Sequence, residues 1–243
     1  MKKVVLTLFL TGSLIALNSC EVLGEGIQST NRSNTSNSQS GSLGESEVNR
    51  GLKEALRIGA EYATQNLNKT DGFFKNQAIK ILLPKEAQVV ESTLRSVGMG
   101  NLVDDVILKM NRAAENAAIK AKPIFISAIT NMSIEDGMRI LRGGQDAATQ
   151  YLKRTTSGKL TKEFEPVIKS SLGQVGADRV WTTVFDNYNK IPTVRNKINP
   201  DLTGYVTEKA LEGLFYTIAQ EELKIRTDPA AQVTNTLKRV FGK

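Results

Sequence analysis

Side chains that commonly carry catalysis are scarce in this chain. It contains no histidine, and its single cysteine is Cys20, near the N-terminus. Ser-His-Asp and Cys-His catalysis and most zinc and copper sites are therefore excluded. The sequence also lacks a P-loop and a dinucleotide-binding glycine motif. The chemistry that remains uses carboxylates or oxygen ligands alone. We expect neither a cofactor nor a metal ion.

Glu222 is the carboxylate in the most unusual position. A helix is predicted from Thr203 to about Arg226, and at about 100° per residue Glu222 falls inside its apolar stripe. That stripe consists of Leu211, Leu214, Phe215, Ile218 and Ile225. Charged side chains are rarely buried without a partner. Glu222 is therefore either half of a structural ion pair, with Arg226 one turn on or with a basic group from residues 101–155, or a pocket carboxylate that binds a ligand or exchanges a proton.

A second polar cluster consists of Asn111, Arg112 and Glu115. Arg112 and Glu115 have the i, i+3 spacing of helical neighbours, and Asn111 and Glu115 flank an apolar stripe. Three interpretations stay open: a polar network that fixes helix register, an ordinary solvated helix edge, or a ligand site.

Arg142 is a third candidate, close to the Gly143-Gly144 break. Together with Arg139 and Gln145 it could meet an anion near a helix N-terminus. Helix capping and solvent exposure explain these residues equally well.

The elements that position these residues are predicted to be helices. From Val103 to Ala121 apolar residues recur at helical spacing with many alanines, which indicates a central helix contacted from more than one side, and Pro123 should end or kink it. Ser133 and Asp136 fit a capping box. The helix after this cap should bury one face. That face consists of Ile134, Gly137, Met138 and Leu141.

Further turns and caps complete the prediction. We expect turns at Asp71-Gly72 and Ser157-Gly158, and a helix from Leu160 to Leu172 that Pro166 bends or splits. Thr203 should cap the Glu222 helix, and Asp228 should cap the last helix. No fixed-period repeat and no strand pattern is present. The predicted fold is all-α, a single compact bundle of about nine or ten helices.

The N-terminus has the features of a bacterial secretory signal. A basic start, Met1-Lys2-Lys3, precedes an apolar run that is too short to span a membrane. The run ends Leu17-Asn18-Ser19-Cys20, which resembles the lipobox of bacterial lipoproteins. That resemblance implies that residues 1–19 are removed and that Cys20 is acylated; the alternative is an ordinary secretory signal with a chance cysteine. Glu21 favours the periplasmic side of the outer membrane.

Residues 20–46 are predicted to form a flexible tether because serine, asparagine, threonine and glycine dominate them. Such a tether reaches roughly 25–30 Å, and the all-α domain should occupy residues 47–243. Without Lys2 and Lys3 the chain has 30 basic and 25 acidic residues, a net charge of +5. Because the charges are dispersed, they fit an ordinary solvated surface. The alternative is that the net positive charge attracts anionic lipid headgroups or cell-wall polymers. We expect no nucleic-acid partner for an exported protein.

Three segments resemble an uncharacterised bacterial family, domain of unknown function 4197. They are NRAAENAA at residues 111–118, the stretch from Met132 to Leu152, and Tyr205 to Gly242. The resemblance covers roughly Gly51 to the C-terminus and implies a helical envelope domain. It brings no activity, so no catalytic residue is carried over.

Two functions are compatible with these features. The first is a non-enzymatic, lipid-anchored envelope protein whose helical domain binds another protein, a lipid or a cell-wall component. The second is a carboxylate-dependent hydrolase or transferase acting on an envelope component, with Glu222 as the base. We favour the first, because the sequence offers so few catalytic groups.

Overall fold

The computed structural model describes residues 44–174, 176–190, 192, 197, 199, 201–232 and 234–241. These residues form nine α-helices and two 3₁₀ turns, and they contain no strand, so the predicted all-α class is confirmed. The helices are α1 (Glu45–Asn68), α2 (Gln88–Ser96), α3 (Gly100–Ala118), α4 (Ala121–Thr130), α5 (Ile134–Arg142), α6 (Ala147–Gln174), α7 (Ala177–Asn189), α8 (Leu202–Thr227) and α9 (Asn235–Phe241). The predicted signal peptide, Cys20 and the tether up to residue 43 lie outside the described residues. None of the described helices has an apolar stretch long enough to span a bilayer.

The core lies where α3, α6 and α8 meet, with α1 against α3 and α8. The α6 side chains in this core are fully buried: Leu152, Leu160, Phe164, Ile168 and Leu172. Helix α3 contributes small side chains that are also fully buried: Ala113, Ala114, Ala117 and Ala118. Small residues allow close approach of neighbouring backbones, and α3 does contact α1, α6 and α8, as its alanine-rich sequence predicts.

The central helix is shorter than predicted. It ends at Ala118, and α4 begins at Ala121 after a turn at Ile119-Lys120. Pro123 lies in the first turn of α4 and explains the break, because it has no N–H to bond the carbonyl of Ile119 four residues earlier. Proline is tolerated in a first turn, where the N–H groups lack intrahelical acceptors.

Helix α5 has the predicted cap but a partly different buried face. The Ser133 hydroxyl accepts a hydrogen bond from the Asp136 N–H, and the Asp136 carboxylate accepts from the Ser133 N–H, which makes a capping box. The buried residues of α5 are Gly137 and Ile140, whereas Ile134 is exposed. Of the predicted face, Gly137 is buried, Met138 and Leu141 are partly buried and only Ile134 is exposed; the prediction missed the buried Ile140.

Helix α6 continues through the turn predicted at Ser157-Gly158 and is not split at Pro166. Gly158 is exposed and has no neighbouring atom within 4 Å of a Cβ built on it. An exposed glycine costs a helix only about 1 kcal/mol relative to alanine. The fully buried side chains on either side of it outweigh that cost.

Two caps near the C-terminus also differ from the sequence-based expectation. Asp201, and not Thr203, caps α8: its carboxylate accepts from the Gly204 N–H, and Thr203 is buried. Asp228 caps as predicted, but it caps the 3₁₀ turn Pro229–Ala231, and α9 starts only at Asn235.

The connection between α1 and α2 has no regular structure until the 3₁₀ turn Lys85–Ala87. It begins at the predicted Asp71-Gly72 turn, where Asp71 adopts a φ of 70°. A Cβ on Gly72 would lie 2.5 Å from the Asn66 carbonyl oxygen, so only glycine fits there. We call residues 69–84 the connecting segment. Polar side chains of α3 and α8 contact it along its length.

Candidate functional site

Glu222 lies in the core on α8 and binds the N-terminus of α6. Its Oε1 accepts a hydrogen bond from the Ala148 N–H at 3.0 Å, and its Oε2 accepts from the Thr149 N–H and hydroxyl, both at 2.8 Å. First-turn N–H groups of a helix lack intrahelical acceptors, and the helix dipole favours a negative charge there. A carboxylate from another helix therefore supplies the cap that α6 does not obtain from its own sequence.

Arg226 provides the counter-charge for this carboxylate. Its Nε and one terminal nitrogen donate to Glu222 Oε1 at 3.0 and 2.8 Å, and the same terminal nitrogen donates to the Ile140 carbonyl. The two side chains are 5% and 13% exposed. The adjoining cavity is about 20 Å³, room for roughly one water molecule. Both carboxylate oxygens are thus occupied, and no ligand-sized space adjoins them.

Glu115 on α3 makes a similar arrangement with the connecting segment. Its Oε1 accepts from the consecutive N–H groups of Phe73 and Phe74, both at 3.1 Å. Its Oε2 accepts from Arg112 at 2.6 Å, one turn earlier on the same helix. The carboxylate is 3% exposed. Glu115 therefore fixes the turn after α1 against α3.

Asn111 holds the same segment one helical turn away. Its side-chain amide accepts from the Ile81 N–H at 2.9 Å and donates to the Ile81 carbonyl at 2.8 Å. It also donates to the Ile107 carbonyl. An amide that bonds both main-chain groups of one residue mimics the pairing of a neighbouring strand. The structure thus brings together all three residues of the predicted cluster, in a network that joins two elements.

Asp71 completes this network from the connecting segment. It makes ion pairs with Lys75 at 2.8 Å and Arg112 at 2.6 Å. Hydrogen bonds that Lys75 and Arg112 donate lower the pKa of the Asp71 carboxyl below its usual value. The bonds that Arg112 donates to Glu115 and Asp71 raise the pKa of Arg112. These ion pairs hold the Asp71 side chain in place at the turn where its backbone is left-handed.

One cavity in the described part of the chain is a feature that the sequence did not indicate. It is an open groove of about 1140 Å³ between residues 78–88 and the first half of α8, with Trp181 of α7 also in its wall. Tyr205 spans it, because its hydroxyl donates to the Leu82 carbonyl at 2.8 Å. Tyr216 and Leu82 are 45% and 55% exposed in its lining. We call this the α8 groove.

The α8 groove combines aromatic side chains with a balanced set of charges. Its described lining includes four lysines and three glutamates: Lys80, Lys85, Lys197, Lys209, Glu86, Glu208 and Glu212. Burial, with added repulsion from the three glutamates, raises the pKa of Tyr205 to about 12. The indole N–H of Trp181 is buried and has no acceptor among the described residues. No sequence periodicity could reveal the groove, since Leu82 and Tyr205, which meet across it, are 123 residues apart in the chain.

The family model for a protein of unknown function (DUF4197) matches residues 42–242. The chain belongs to this family. The resemblance seen in three segments of the sequence is therefore confirmed, and the match includes both buried carboxylates and the α8 groove. No curated protein and no solved structure matches the chain.

The remaining candidate, Arg142, stands apart from these sites in this family member. It is exposed near the end of α5 and makes no ion pair with a described residue. Arg139 instead pairs with Glu135 and Asp136 on its own helix. Within the described ranges, no group of three or more metal-ligating side chains is placed to hold an ion. The α8 groove, in contrast, has room for a ligand.

Proposed function

We propose that the protein is a lipid-anchored component of the bacterial cell envelope, and that its helical domain binds a partner through the α8 groove. The observation that carries the proposal is the contrast between the groove and the two buried carboxylates. The groove is open and keeps exposed aromatic and charged side chains. Glu115 and Glu222 are buried and fully hydrogen-bonded.

The alternative, a carboxylate-dependent hydrolase or transferase, finds little support at Glu222. A general base must lie within hydrogen-bond reach of a proton on its substrate. The Glu222 oxygens instead accept from Ala148, Thr149 and Arg226, and the cavity beside them has room for about one water molecule. A binding function needs no such base and fits the groove better.

Anchoring is supported by the lipobox-like end of the apolar N-terminal run at Cys20. Several acyl chains hold a protein on a membrane far more stably than one. We expect Cys20→Ser to release the protein from the membrane fraction of the cells that make it, whereas Ser19→Ala, which keeps a small residue before the cysteine, should leave it attached. Continued membrane retention of Cys20→Ser would contradict lipid anchoring.

Binding at the α8 groove is tested by photo-crosslinking in intact cells. A photoreactive phenylalanine analogue replaces Tyr216 in the groove, and in a matched strain it replaces Tyr62 on α1. The two tyrosines are similarly exposed, at 45% and 52%, but Tyr62 does not line the groove. We expect a discrete crosslinked product from position 216 and none from position 62. Equal crosslinking at both positions, or none at either, would contradict the proposal.

A further inference from the structure

The connecting segment presents to the α8 groove main-chain groups that make no hydrogen bond with a described residue. The N–H groups of Ile79 and Lys80 bond the Asn76 carbonyl and close a turn. From Lys80 to Leu82 burial then alternates: Lys80 is partly buried, Ile81 is buried and Leu82 is exposed. Such alternation is typical of an extended backbone, in which successive side chains point to opposite sides. Leu83 precedes Pro84, which also restricts it to an extended conformation.

The direction of these groups is set by two hydrogen-bonded contacts. Ile81 directs both its N–H and its carbonyl at Asn111, on the α3 side. In an extended chain the main-chain groups of the next residue point the opposite way. The Leu82 carbonyl does so, because it accepts from Tyr205 in the groove. The Leu82 N–H and the Lys80 carbonyl therefore also face the groove, and neither makes a hydrogen bond with a described residue.

We infer that the α8 groove binds an extended peptide segment of a partner protein, which pairs with the Leu82 N–H and the Lys80 carbonyl. The inference rests on the proposed binding function and specifies its ligand. Pairing of a peptide with exposed main-chain groups is a common mode of peptide recognition. A peptide carbonyl is also an acceptor of the kind that the Leu82 N–H lacks among the described residues.

The charges of the groove favour a peptide over a polyanion. Four lysines and three glutamates give the described lining a net charge of only +1, too little to attract phosphate-rich ligands strongly. Tyr216 and Leu82 offer exposed apolar surface in the same lining. A peptide with alternating apolar side chains would place them against both.

Leu82→Pro is the variant that tests main-chain pairing. It removes an N–H that makes no hydrogen bond with a described residue, so no bond within the described part of the chain is lost. Leu82→Ala is its matched control, since it shortens the same exposed side chain and keeps the N–H. Thermal melting of both variants establishes that each is folded.

The probe is a library of random linear peptides displayed on phage and panned against the full chain in detergent. Selected peptides are then titrated by fluorescence anisotropy. We expect Leu82→Pro to weaken their binding about tenfold or more and Leu82→Ala by less than about threefold, since only the first removes a hydrogen bond. Equal loss in the two variants would overturn the inference. So would a library that yields no groove-binding peptide, or a groove that binds envelope oligosaccharides instead.

A second measurement tests the inference even if Leu82→Pro fails to fold. The amide exchange of Leu82 in the wild-type chain should slow when a selected peptide is added, whereas the already bonded Ile81 amide should change little. Unchanged exchange at Leu82 would overturn the inference. If position 216 crosslinks a partner in cells while these peptide tests fail, the proposed binding function stands and only the peptide ligand is wrong. If position 216 gives no crosslink, both the binding function and the peptide inference are contradicted.

Discussion

The Glu115 and Glu222 clusters each bury a carboxylate and stabilise it with the same kinds of partner, in two parts of the molecule. Each places one carboxylate from a long helix under two consecutive main-chain N–H groups of another segment. Each adds an arginine one turn away on the carboxylate's own helix. A buried charge is tolerated only with a partner and hydrogen bonds, and both clusters supply both.

The two clusters differ in what they hold and in how deeply they are buried. Glu222 caps α6, whose side chains form the centre of the core, and Arg226 is 13% exposed. Glu115 fixes a turn without regular structure, and Arg112 is 34% exposed and shared with Asp71. The same pairing of a buried carboxylate with two main-chain N–H groups thus stabilises the whole of α6 at Glu222 and a single turn of the connecting segment at Glu115.

The largest effect should come from Glu222→Ala. Removing the carboxylate leaves Arg226 buried without a counter-charge and strips two α6 N–H groups of their acceptor. We expect the free energy of unfolding to fall by roughly 3–5 kcal/mol, measured by urea denaturation. Glu212→Ala is the control on the same helix: its exposed ion pair with Lys209 is worth about 0–1 kcal/mol. An unchanged unfolding curve for Glu222→Ala would show that Glu222 is not buried.

Glu115→Ala should destabilise the protein less and more locally. The Phe73 and Phe74 N–H groups lose their acceptor, but Arg112 keeps its ion pair with Asp71. We expect a loss of about 2–4 kcal/mol and faster amide exchange confined to the connecting segment. If exchange rises equally in α6, the two clusters are coupled, and the distinction between them fails.

The sequence allowed the candidates in both clusters to be named, but it could not reveal what they bind. Helical periodicity placed Glu222 inside an apolar stripe and Arg226 one turn away, and both are where that pattern predicts. Glu222 accepts from Ala148, which is 74 positions away in the chain, and Glu115 accepts from Phe73, which is 42 positions away. Helical periodicity carries no information about such distant contacts. The break at Ile119-Lys120 and the continuity through Gly158 likewise depend on tertiary packing, which overrides local propensity.

Gly213 tests how tightly the Glu115 turn is enclosed. A Cβ at this position of α8 would lie 2.7 Å from Phe73 Cε1 and 3.2 Å from Ile79 Cβ. We expect Gly213→Ala to cost about 1–3 kcal/mol through overpacking, measured by thermal unfolding. Gly158→Ala is the matched helical control with open space around it, and it should stabilise α6 by up to about 1 kcal/mol. Stabilisation by both substitutions would contradict close packing at Phe73.

Tyr205→Phe probes the other end of the connecting segment. Loss of the hydrogen bond to Leu82 should cost about 1 kcal/mol near neutral pH. Since burial raises the pKa of Tyr205 from 10.0 to about 12, the protonated form is favoured in the folded state. The contribution of protonated Tyr205 to the free energy of unfolding is complete below pH 10 and is lost as the pH rises to about 12. The stability advantage of wild type over Tyr205→Phe should therefore shrink across that range; a constant difference would contradict the shifted pKa.

Amide exchange at Ala148 and Thr149, measured by NMR on the wild-type chain, tests most directly whether the buried carboxylates serve the fold. First-turn amides normally exchange fast because they lack intrahelical acceptors. Asn101 in the first turn of α3, whose N–H has no partner among the described residues, provides the comparison. We predict that Ala148 and Thr149 exchange at least about tenfold more slowly than Asn101, since Glu222 accepts from both. Exchange as fast as that of Asn101 would mean that the Glu222 carboxylate is free for other chemistry.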